Sequence, residues 1–161
     1  MSPFSSLVIS KILENADVIW DSQNQSLKNK LENVQLDAAT ILTGGTKLTG
    51  LNRSFEETKR EKLSDRRQNH QLILFHKIKN NRTPQYLLDL IPNSVGSRHS
   101  HNTRQVNNML EINTRTNQHA DYFLPSTIKL WNNLPLTLRK TESLSIFKKK
   151  PQKSKCQSSY L

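Results

Sequence analysis

Apolar residues fall into a helical rhythm along most of this chain and into almost no strand-like alternation. Leu7, Val8, Ile12, Leu13, Ala16, Ile19 and Trp20 recur at the spacing that gathers side chains on one helical face, predicting an amphipathic helix from Phe4 to Trp20. Ser2 is placed to cap it, and Pro3 suits the first helical position, where the missing amide hydrogen costs nothing. Asp21-Ser22-Gln23-Asn24 reads as a turn. Beyond it, Leu27, Leu31, Val34, Ala38 and Ile41 alternate in steps of four and three. They predict a second helix, capped by Ser26 and stopped by a left-handed residue at Gly44-Gly45. The two helices are expected to pair as an antiparallel hairpin.

After a loop over residues 47–52, Ser54 with Glu57 forms a capping box that opens a short helix. Ser64 to about Asn80 predicts a longer helix, with Leu63, Leu72, Ile73, Leu74, Phe75 and Ile78 on its apolar side. Thr83-Pro84 restarts a helix through Tyr86, Leu87, Leu88, Leu90 and Ile91, which Pro92 ends. From Asn93 to about Tyr122 the helical period fades into Asn, Ser, Thr, His and Arg. A structureless loop of that length is unusual, so short extended pieces are expected around Arg104–Val106 and Leu110–Thr114, or an arm that orders on binding. A helix carrying Ile128, Leu130 and Trp131 follows, bounded by Pro125 and Pro135. The last helix, Ser143 to Lys150, presents Leu144 and Phe147, and the Lys-, Gln- and Ser-rich stretch after Pro151 is expected to stay disordered.

The fold class that follows is all-α: a small irregular bundle with a long polar loop and a basic tail. Four stretches are expected, 1–92 (hairpin and further helices), 93–122 (loop or arm), 123–150 (short helices) and 151–161 (tail). Only 34% of the 161 residues are apolar, yet Leu, Ile, Val and Phe make up about a quarter of the chain. That exceeds the level, about a fifth, below which a charged chain does not fold. The single Cys156 excludes an internal disulfide and fits a reducing, intracellular compartment, nuclear or cytoplasmic. Lys11, Glu14 and Asp17 interrupt the first apolar stretch, so neither a signal peptide nor a membrane span is expected.

Charge narrows the partners. The chain holds 24 Lys and Arg against 13 Asp and Glu, a net +11. Residues 1–50 carry four basic and five acidic side chains, so the rest carries 20 against eight, or +12. Such asymmetry points to a polyanion, DNA or RNA before a membrane surface.

Candidate catalytic groups are sparse. Two-metal chemistry needs converging carboxylates. Glu56, Glu57 and Glu61 are interleaved with Lys59, Arg60 and Lys62 and read as a solvated, salt-bridged helix. Asp17 and Asp21 flank Trp20 as helix-end charges. His99, His101 and Cys156 lack a fourth ligand and the usual zinc spacing, and four Gly in all supply no phosphate-cradling loop. No metal or other cofactor is expected.

The basic residues are the informative class. Arg66 and Arg67, at the start of the long helix, either contact phosphate or pack their stems and pair locally. Arg98, Arg104 and Arg115 lie among His, Asn and Thr, donors suited to phosphate and sugar oxygens. Arg139, Lys140, Lys148, Lys149 and Lys150 concentrate charge near the end, as either a phosphate-binding or a solubilising run. Tyr86, Tyr122, Phe123 and Trp131 fall on apolar faces and are expected in the core, leaving few rings for base stacking. Backbone binding without sequence reading is the expectation.

Several segments, in order, resemble the region downstream of the catalytic core in reverse transcriptases of non-LTR retrotransposons, the jockey-like elements in particular. They include Ala16-Asp17-Val18-Ile19-Trp20-Asp21, Leu31-Glu32-Asn33-Val34-Gln35, Leu63-Ser64-Asp65-Arg66-Arg67 and Leu74-Phe75-His76-Lys77. Thr83-Pro84-Gln85-Tyr86-Leu87, His101-Asn102-Thr103-Arg104 and Asn113-Thr114-Arg115-Thr116 continue the series. Phe123-Leu124-Pro125-Ser126, Trp131-Asn132-Asn133-Leu134-Pro135 and Ser143-Leu144-Ser145-Ile146-Phe147-Lys148 close it. The likeness spans roughly residues 10–150, and its specificity lies in the order of motifs that are individually weak.

The resemblance implies thumb and connector helices that lie against template-primer, with Arg66, Arg67, Arg104 and Arg115 at family-typical basic positions. It also implies a partner, the palm and fingers of the parent polymerase, whose aromatic-x-Asp-Asp metal site this sequence lacks. A chain of this kind is expected to be no enzyme by itself. Departures from the family pattern at Asn15, Thr40, Arg60, Lys79 and Arg82, the last two where apolar residues are common, suggest drift. Two other readings follow: an inert transposon relic, and a helical protein-interaction module.

Overall fold

The computed structural model describes residues 17–20, 25–44, 61–98 and 106–149. The first predicted helix before Asp17, the Ser54 capping box and the basic tail lie outside the described residues. The fold is all-α, as the periodicity predicts. The chain divides into two compact units, Met1–Gln68 and Asn69–Leu161.

In the first unit, α1 is Asp17–Trp20 and α2 is Gln25–Thr43. α2 begins one residue before the expected cap, so Ser26 stands in its first turn. Gly44 ends it with φ +64°, the left-handed conformation that glycine adopts without steric cost. The next long helix, α3, is Leu63–Lys79. Leu63 is buried and packs against Leu31. Beside that contact, Glu32 Oε1 accepts from the Leu63 amide (3.1 Å) and Gln35 Nε2 donates to the Glu61 carbonyl (3.1 Å). Two polar side chains one turn apart on α2 thus serve the start of α3, whose first amides have no partner within their own helix. Most of the rest of the expected apolar face is exposed. Leu27 and Val34 are exposed, and Ile41 is 80% exposed.

The core of the second unit gathers Leu72 and Phe75 of α3 with Met109, Ile128, Trp131 and Phe147. After α3 come α4 (Gln85–Asp89), α5 (Val95–Arg98), α6 (Asn117–Ala120), α7 (Phe123–Asn132), α8 (Leu136–Arg139) and α9 (Leu144–Lys149). Phe75 lies 5.1 Å from Trp131 and Phe147 5.8 Å from it, centroid to centroid, in tilted geometries that suit aromatic quadrupoles. His76 is fully buried and stacks on Phe147 at 4.3 Å and 22°. Its Nε2 donates to the Thr141 carbonyl at 2.6 Å, fastening α3 to the segment after α8.

Several expectations are corrected here. Pro125 does not bound α7 but sits buried in its first turn, where proline costs no hydrogen bond. Pro135 opens α8, a helix the periodicity did not show. α4 stops at Asp89, before Leu90 and Ile91. Tyr86 and Tyr122 are 64% and 47% exposed and are not core residues. The polar stretch from Asn93 holds two one-turn helices, α5 and α6, the latter capped by Thr116, whose hydroxyl accepts from the His119 amide at 3.2 Å.

The extended pairing expected in that stretch reduces to one antiparallel bridge, Ser94 opposite Met109, among the described residues. Val95 N to Asn108 O (2.8 Å) and Leu110 N to Asn93 O (3.1 Å) flank it. The Met109 amide and carbonyl therefore point away from Ser94, and the Asn132 side chain takes both, at 2.9 Å and 3.0 Å. One asparagine amide does there what a neighbouring strand would do.

Gly96 extends this pairing, its amide reaching Val106 O at 3.1 Å. A Cβ on Gly96 would stand 2.6 Å from Val106 Cγ2 and 3.0 Å from Val106 O. The valine is stiff at χ1 and the oxygen is backbone, so neither yields cheaply. Gly96→Ala is expected to cost about 1–3 kcal/mol, read as a lower urea midpoint at unchanged m-value.

Candidate nucleic-acid interface

The ten cations singled out by residue type do not form one group. In the first unit, Arg67 is only 2% exposed and presents no guanidinium to solvent, so its burial fits the local packing role. Arg66 beside it is half-buried, and desolvation pulls its guanidinium below the ordinary value. In the second unit, Arg98 ends α5 and Arg115 precedes α6, both exposed. Lys148 and Lys149 are exposed in the last turn of α9. Arg104 and Lys150 lie outside the described residues.

Arg139 and Lys140, at the end of α8, are placed more definitely. The Arg139 Nη1 donates to Asn107 O (3.1 Å) and Asn108 Oδ1 (2.8 Å), which orients the guanidinium, while Lys140 is exposed. Lys79 and Arg82 also have definite positions. Lys79, in the last turn of α3, holds its Nζ 5.1 Å above the Trp131 ring centroid. Desolvation first, and then the Arg139 guanidinium, hold the Lys79 ammonium below its ordinary value. Arg82 reaches the Glu142 carbonyl with Nη2 at 3.4 Å. His76 and Arg82, three residues to either side of Lys79, thus bond the 139–142 segment at Thr141 and Glu142.

This convergence was not legible from residue types, because α3 and α8 lie about sixty residues apart in sequence. A weak signal existed: Lys79 and Arg82 share the three-residue spacing of His76.

Among the described residues, no group of His, Cys, Asp and Glu could hold a metal ion. His99, His101, Cys156, Glu56 and Glu57 lie outside them. No described helix is long and apolar enough to cross a membrane. Comparison with family models, with curated proteins and with solved structures finds no match to this chain.

Proposed function

We propose that this chain is a helical, non-catalytic module that binds the nucleic-acid backbone. More particularly, it is the thumb-like region of a retrotransposon-derived RNA-directed DNA polymerase. The observation that carries the first statement is the charge of the second unit, which exposes eight Lys and Arg against four Asp and Glu among the described residues. The second statement is supported by the ordered motifs from Ala16 to Lys148 and by an all-α fold of the kind such a region needs.

A salt titration tests the reading. With about five phosphate contacts, log K for mixed-sequence DNA or RNA should fall by about 3.5–4.5 per decade of salt, with little dependence on sequence. Absence of binding at low salt would leave the inert relic as the better account. A second reading, a protein-interaction module, draws on the exposed α2 residues Leu27, Val34 and Ile41, spaced seven apart along one side of the helix. Apolar docking does not weaken as salt rises, so the same titration separates the two.

A further inference from the structure

We propose that Lys79 and Arg139, brought together from α3 and α8, form a two-cation site for a backbone phosphate, with Arg82 beside it. The inference rests on the nucleic-acid reading above and joins Lys79 and Arg82 to the basic pair Arg139 and Lys140 that residue type selects.

The three cations are oriented without being neutralised. Each cation is held by a partner that carries no negative charge. Lys79 lies over the Trp131 ring, Arg139 is held by a backbone carbonyl and the Asn108 amide oxygen, and Arg82 bonds the Glu142 carbonyl. Neutral acceptors and ring faces fix a cation in place and leave its charge to act outward, whereas a carboxylate would cancel it. Desolvation of the Lys79 ammonium, and then the field of the Arg139 guanidinium, work against its charge. A phosphate bound at this end of α3 offsets both effects and accepts hydrogen bonds from the Lys79 ammonium. The support beneath is rigid. Trp131 is fully buried, and the His76–Thr141 bond at 2.6 Å sets the end of α3 against the segment that carries Arg139 and Lys140. The site therefore needs little ordering on binding, which favours affinity per contact.

The test uses the full chain with a mixed-sequence duplex DNA and a single-stranded RNA. Lys79→Met keeps an unbranched side chain of similar length while removing the charge, and an unchanged thermal midpoint verifies the fold. It should weaken both probes about fivefold and flatten the salt slope by about one. Lys30→Met, on the exposed surface of α2 in the other unit, is the control and should change affinity less than twofold. In a Trp20→Phe background, saturating DNA should also shift the fluorescence of Trp131, because a phosphate at the Lys79 ammonium changes the field at its ring. If Lys79→Met binds like Lys30→Met and the fluorescence stays still while the parent chain binds, the two-cation site is wrong and the general reading survives. If the parent chain binds neither probe at low salt, both fail.

Discussion

Trp131→Ala should remove most of the stability of the second unit, lowering its free energy of unfolding by about 3–5 kcal/mol. A domain's whole margin is only about 5–15 kcal/mol. Trp131 has no exposed surface, lies between Phe75 and Phe147, and carries the Lys79 ammonium over its face. Alanine would lose the ring's burial, two aromatic pairings and the support under the cation, and the surrounding helices are too short to collapse into the space. Trp131→Phe makes the comparison informative. The indole Nε1 is buried without an acceptor, so phenylalanine gives up area but relieves an unsatisfied donor. It should lose less than half as much as alanine. Urea denaturation followed by helical circular dichroism reads both variants. An alanine midpoint within error of the parent's would show that the core does not hinge on this ring.

That core was only partly legible in the sequence, and the reasons differ from element to element. Phe75, Ile128, Trp131 and Phe147 stand at helical spacing in helices that periodicity finds, and all four are buried. α3 also buries Arg67, Gln71 and His76, which a count of apolar positions assigns to the outside. Burial of a polar group is decided by a partner, and the partner of His76 is a carbonyl 65 residues away. Asn132 is the same case, since nothing in Trp-Asn-Asn-Leu-Pro says that its amide completes a bridge at Met109. Errors in the other direction come from shortness and from missing cover. A five-residue helix such as α4 has too few turns to define a face, and Tyr86 within it is exposed. On α2 the alternation of four and three is real, yet the described contacts engage Leu31, Glu32 and Gln35 and leave Ile41 exposed. The candidate interface divides likewise. Arg139 and Lys140 are visible as a basic pair, whereas Lys79 and Arg82 gain meaning only when folding sets them against residues 139–142.

His76→Leu should cost about 2–4 kcal/mol, and it tests whether that juxtaposition depends on one hydrogen bond. Leucine fills comparable volume but cannot donate, so the Thr141 carbonyl loses its partner at an expense of about 1–3 kcal/mol. The stack on Phe147 is worth about 0.5–1.5 kcal/mol more. His76→Gln restores a donor without the ring and should recover part of the first loss and none of the second. The consequence for binding is separable from stability. His76 is fully buried and so cannot itself meet a phosphate, but it holds α3 to the segment bearing Arg139 and Lys140. At a temperature where all three proteins remain folded, the leucine variant should bind DNA more weakly than the glutamine variant, with a shallower salt slope. Equal binding by both, at full stability of the leucine protein, would mean that the cations are positioned by the Trp131 core alone. The polar bond that joins α3 to residue 141 would then have no part in building the interface.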